Sequence, residues 1–128
     1  MKRFAAALAA SVVVLTMAAT AVAAGVRNVS PVEAQRIMAT KKNLFLLDVR
    51  TPDEYRQARL KGAVLIPMNE IGQRLREVPR NRPVLVYCAV GSRSGAVAGY
   101  LAGKGYREVY NITDGIVGWY RSGLPIER

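Results

Sequence analysis

Hydrophobic residues along this chain come in short runs, separated by polar segments rich in turn formers. The runs at 26–29, 44–47, 63–67, 84–87 and 108–112 have strand length and strand composition. Two of them, 44–47 and 84–87, are continuously apolar, which suits parallel strands buried on both faces. The stretches between them read as helices. Ser30-Pro31-Val32-Glu33 offers a cap, a first-turn proline and the acid of a capping box, and Ala34, Ile37 and Met38 give that helix one apolar face. Thr51-Pro52-Asp53-Glu54 repeats the signature and opens a short helix. Asn69 is a candidate cap for a helix over 70–76, with Ile71 and Leu75 facing inward. A longer helix behind Gly91 is expected to bury Val97, Tyr100 and Leu101 and to end at Gly103-Lys104-Gly105. A last short helix over 114–122 carries Trp119, either in the core or as a lid at a pocket edge.

Strands alternating with helices predict an α/β fold, a central parallel sheet of about five strands with helices on both faces. In such sheets ligands bind where loops leave the carboxyl ends of the strands. Asp48, Arg50 and Cys88 all fall at that edge. Asp48 and Arg50 are expected to pair with each other or with backbone and to brace the edge.

Composition adds a leader. Lys2-Arg3 precedes an uncharged stretch at 4–24, mostly Ala, Val and Leu, that ends in Ala21-Val22-Ala23-Ala24. This has the form of a secretory signal peptide, cleaved after Ala23 or Ala24, rather than of a retained anchor. The expected division is therefore a signal peptide at 1–24 and one domain at 25–128, exported or periplasmic, touching a membrane only through the leader. Basic residues outnumber acidic ones 19 to 9, for a net charge of +10. They are scattered, without runs or interleaved aromatics, so a nucleic-acid partner is not expected; a solvated basic surface that attracts small anions is.

The chain has one cysteine and no histidine. An internal disulfide is excluded, as is every Cys-His or Ser-His mechanism. Neither a zinc site nor any other cofactor is expected. Cys88 ends an apolar strand and is followed by Ala89, Val90, Gly91, Ser92, Arg93 and Ser94. A strand, a tight loop and a helix in that order can turn several N–H groups and a helix N-terminus toward one point, where a thiolate is favoured. An exposed loop cysteine of this kind reads as a nucleophile rather than as a small core residue. Arg93 reads as a charge for an anionic substrate, Gly91 as a turn glycine. With a nucleophile and no general base, attack on phosphorus and attack on sulfur both fit. Tyrosine-phosphatase-like loops hold one residue more than the four found here between cysteine and arginine, which favours the smaller sulfur centre.

Four motifs carry a resemblance: Leu47-Asp48-Val49-Arg50-Thr51-Pro52-Asp53-Glu54-Tyr55, Lys61-Gly62-Ala63-Val64-Leu65-Ile66-Pro67, Cys88-Ala89-Val90-Gly91-Ser92-Arg93-Ser94, and Asp114-Gly115-Ile116-Val117-Gly118-Trp119 with Gly123-Leu124-Pro125. In this order the chain resembles a single-domain rhodanese, a thiosulfate sulfurtransferase of the exported, phage-shock-E-like kind. The resemblance implies a rhodanese-like fold and a two-step transfer. Cys88 takes sulfane sulfur from thiosulfate or a similar anionic donor as a persulfide, then passes it to a thiol, to cyanide or to a protein acceptor. It implies that the loop N–H groups of Ala89 to Ser94 hold the sulfur and that Arg93 attracts the donor. Two positions depart from the family pattern: Ala58-Arg59-Leu60 stands where Gly-His-Ile is common, and Ala89 stands where thiosulfate-using members often have arginine. The alternatives are a persulfide carrier or thiol sensor that docks on an envelope partner, with Ala89-Val90 at the contact, and a phosphatase or arsenate-handling enzyme.

Overall fold

The structure, a computed structural model, describes Lys2 and residues 25–128. The leader expected at 1–24 lies, Lys2 apart, outside the described residues. The chain forms β1 (Val26–Val29), α1 (Pro31–Thr40), β2 (Phe45–Asp48), α2 (Pro52–Gln57), β3 (Val64–Leu65), β4 (Val84–Tyr87), α3 (Ser92–Gly103), β5 (Val109–Ile112) and α4 (Gly115–Arg121). All strand pairs are parallel, in the order β1-β5-β4-β2-β3. β4 and β5 are buried along their whole length, as their apolar composition requires.

The connections after β2 and after β4 leave in opposite directions across the sheet. Between these two strands lies the switch point, where a crevice opens at the carboxyl ends. Successive residues of a strand face opposite sides, so the sheet divides two cores. Leu47, Val49, Val84, Val86 and Cys88 pack under α3 with Val97, Ala98 and Leu101. Leu46, Leu85, Tyr87, Tyr110 and Ile112 pack on the other side with Ala34 of α1 and Ile116 and Trp119 of α4. Trp119 is thus a core residue, its indole N–H donating to the Pro125 carbonyl at 2.8 Å.

Local signals explain most boundaries. Thr51 and Glu54 form the complete reciprocal capping box. At α1 only half of the expected box forms: Ser30 Oγ accepts the Glu33 N–H at 3.2 Å. Gly105, with φ of +91°, follows the end of α3.

Two expectations are corrected. The helix over 70–76 is replaced by two 3-10 turns, Met68–Glu70 and Leu75–Glu77. Seven residues interrupted by Gly72 make too few hydrogen bonds to repay helix nucleation. Ile71 is buried all the same. Tyr100 is exposed rather than buried, lying over a shallow groove with Met68, Ile71 and Gly72. Its ring takes the Lys104 ammonium at 5.5 Å, which gives an exposed tyrosine a partner outside the core.

Candidate active site

Tyr87 is the last residue of β4 and shares its register with Asp48, the last residue of β2. Their side chains therefore lie on one face, and Cys88, one step further, turns to the other. On the Tyr87 side, Asp48 Oδ2 accepts from the Tyr87 hydroxyl and from Arg50 Nη2, both at 2.7 Å. Asp48 Oδ1 accepts from the Arg50 N–H and Nε. Arg50 Nη2 also donates to the Ala58 carbonyl at 2.6 Å, and the Leu60 N–H donates to the Tyr87 oxygen. Burial and the Asp48 carboxylate push the Tyr87 hydroxyl well above its ordinary pKa. The expected Asp48–Arg50 pair is present and buried, and the Tyr87 hydroxyl ties it to the end of β4.

On the α3 side, the Gly91 N–H donates to Cys88 Sγ at 3.1 Å and the Ser94 hydroxyl at 3.3 Å. Burial raises the Cys88 pKa, but the Ser94 hydroxyl and the N–H groups of Ser94, Gly91 and Val90 lower it by more, so the thiol titrates below its ordinary value. The loop needs glycine at its pivot. Gly91 has φ of +100°, and a Cβ there would stand 1.9 Å from the Thr113 carbonyl oxygen. A second glycine closes the loop from behind. Gly115, with φ of +58°, starts α4 so close that a Cβ would lie 2.3 Å from the Ala89 oxygen. That approach lets the N–H groups of Ile116 and Val117 bond the carbonyls of Cys88 and Ala89, at 2.9 and 3.1 Å. The loop carbonyls are held outward by α4, and the loop N–H groups are left to face the sulfur.

The expectation of an exposed cysteine is corrected: Cys88 is 0% exposed, although its neighbour Val90 is 60% exposed. Contact between Sγ and a reactant therefore needs a local shift of the loop. Arg93 lies on the first turn of α3, but its guanidinium is engaged by Glu54 of α2, with Nη1–Oε1 at 2.7 Å and Nη2–Oε2 at 2.9 Å. The Arg93 bond, ahead of the Thr51 N–H and hydroxyl, draws the Glu54 carboxyl down to about 2. Sequence reasoning identified Glu54 only as a cap. Its second partner stands 39 residues away, and no local pattern announces that contact. Of the loop residues singled out in the sequence, Gly91 and Ser94 donate to the sulfur, the Val90 N–H helps lower its pKa, Ala89 is held by α4, Ser92 begins α3, and Arg93 pairs with Glu54.

A parallel five-stranded sheet with this loop at its switch point has close counterparts. The rhodanese-like domain family matches residues 30–122. The chain belongs to this family. A sulfurtransferase of Allochromatium vinosum is 40% identical over 89 residues, covering 70% of this chain and 83% of that protein. The thiosulfate sulfurtransferase GlpE of Vibrio cholerae is 34% identical over 96 residues, covering 75% of this chain and 91% of its own. Among solved structures, a rhodanese-related protein from Thermoplasma volcanium superposes with a TM-score of 0.72 at 27% identity, covering 79% of this chain and 97% of that one. A rhodanese-like domain protein from Staphylococcus aureus gives 0.70 at 29%, covering 80% and 99%. Family membership and the names of these relatives support sulfurtransferase activity in general.

Proposed function

We propose that this protein moves sulfane sulfur through a persulfide on Cys88, taking it from thiosulfate or a similar donor and passing it to a thiol or to cyanide. The observation that carries this reading is the pair of donors, Gly91 N–H and Ser94 hydroxyl, aimed at a thiol whose pKa they lower. The names of relatives in Vibrio cholerae and Allochromatium vinosum agree with it. In the first step the Cys88 thiolate attacks the outer sulfur of thiosulfate, forming an S–S bond while sulfite leaves with the electron pair of the old one. The terminal sulfur then carries the negative charge, where the loop N–H groups of Ala89 to Ser94 receive it. In the second step an acceptor thiolate or cyanide attacks that terminal sulfur, and the Cys88 thiolate is released. Neither step transfers a proton, which suits a chain without histidine. The leader at 1–24 supports action outside the cytoplasm, in a periplasm where one exists.

The test is thiocyanate formation from thiosulfate and cyanide by the mature chain beside Cys88→Ser. The proposal expects turnover that vanishes in the variant. Equal turnover in both overturns it; no turnover in a wild type whose thiol is shown to be reduced overturns thiosulfate as the donor and favours the carrier reading below. A second reading rests on exposed Val90 and on exposed Val117, whose N–H bonds the Ala89 carbonyl next to it: apolar side chains at the loop suit a carrier that releases sulfur to a protein acceptor. That reading expects persulfide formation with slow release until the partner is added.

A further inference from the structure

Arg93 is the one cation within residues 88–94, and its guanidinium is closed by a bidentate carboxylate. The donors on Cys88 Sγ, by contrast, are uncharged: one N–H and one hydroxyl. The resting site therefore stabilises a single negative charge on sulfur by dipoles, while its full positive charge is already satisfied by Glu54.

The two partners are anchored unequally. α3 buries Ser94, Val97, Ala98 and Leu101, so Arg93 starts from a fixed helix. α2 buries no residue over its six, so Glu54 starts from a short helix held chiefly by its own cap. Of the two, the carboxylate is the one that can be displaced.

We propose that Glu54 is a specificity-determining residue for the sulfur donor. It is a built-in anion that a dianionic donor must displace from Arg93, so the site discriminates against small dianions and favours sulfane sulfur carried on an organic thiol. This inference rests on the sulfurtransferase reading for its meaning, but its test does not need turnover. Glu54→Gln removes the charge and little else, because glutamine also serves at the third position of a capping box, and its oxygen still accepts from the Thr51 N–H and hydroxyl.

The experiment compares alkylation of Cys88 in the full chain by neutral iodoacetamide and by anionic iodoacetate, at one pH and at low and high salt. Glu54→Gln is expected to raise the iodoacetate-to-iodoacetamide rate ratio about tenfold, the scale of one charge-assisted hydrogen bond released for the reagent. The rise should shrink at high salt and disappear in Glu54→Gln/Arg93→Met. In turnover, the same variant should lower KM for thiosulfate with kcat little changed. A ratio that stays the same or falls overturns the proposal. Wild type and variant that both alkylate as expected yet form thiocyanate neither from thiosulfate nor from an organic persulfide such as cysteine persulfide overturn the transferase reading and leave this one standing. Circular dichroism melting of Glu54→Gln beside Thr51→Ala separates loss of the cap from loss of the charge: both are expected to melt early at neutral pH, Glu54→Gln because the paired carboxylate is gone, and only Glu54→Gln changes the reagent ratio.

Discussion

The Ser94 hydroxyl stands 3.3 Å from Cys88 Sγ and 3.2 Å from the Gly91 carbonyl oxygen. It has one hydrogen to give. When the sulfur is protonated the carbonyl is the better acceptor; when it is a thiolate the sulfur is. The hydroxyl therefore follows the charge on the Cys88 sulfur.

Ser94→Ala is expected to move the Cys88 pKa upward and to slow its alkylation by iodoacetamide at neutral pH by about tenfold, one charge-assisted hydrogen bond at 1.4 kcal/mol. The pH dependence of the alkylation rate checks it. In the wild type the rate should rise through a midpoint below that of a free thiol, in agreement with the lowered pKa.

Gly91→Ala and Gly115→Ala both force a Cβ into a carbonyl oxygen from a left-handed backbone. Each should destabilise the fold by about 2 kcal/mol or more, read as a lower urea midpoint. Gly91→Ala should also raise the Cys88 pKa, because the displaced N–H is one of those that lower it.

Asp48→Asn leaves the buried Arg50 guanidinium without its counter-charge and should cost about 3–5 kcal/mol. Tyr87→Phe removes the acceptor of the buried Leu60 N–H and should cost about 1–3 kcal/mol. Because the two side chains share a bond, the double variant should lose less than the sum of the singles in a denaturation cycle.

The Glu54 carboxyl is held at about 2 against an ordinary value near 4.5. A depressed folded pKa contributes stability that is present above the unfolded value and lost as pH falls through the folded one. The wild type should therefore lose stability between about pH 4.5 and 2. Urea midpoints of Glu54→Gln should be flatter across that window.

Much of the fold was legible in the sequence because parallel buried strands leave continuous apolar runs and capping boxes mark helix starts. The 84–87 run, the Thr51–Glu54 box and the pairing of Asp48 with Arg50 all appear as read. What was not legible depends on distance in the chain or on packing from above. Glu54 reaches Arg93 only because the loops after β2 and β4 meet at the switch point. Cys88 is covered because it joins the core under α3 with Val97 and Ala98, a packing no residue of the loop declares by itself. The Ile71 and Leu75 spacing matched a helix, but apolar spacing alone does not report whether enough turns exist to sustain one.

The most direct measurement is the intact mass of the reduced protein after exposure to thiosulfate and, separately, to inorganic polysulfide, followed by peptide mapping. The account predicts the mass of one added sulfur atom on the Cys88 peptide, removed by cyanide as thiocyanate and absent in Cys88→Ser. A reduced, alkylatable Cys88 that takes up no sulfur from either donor would contradict it.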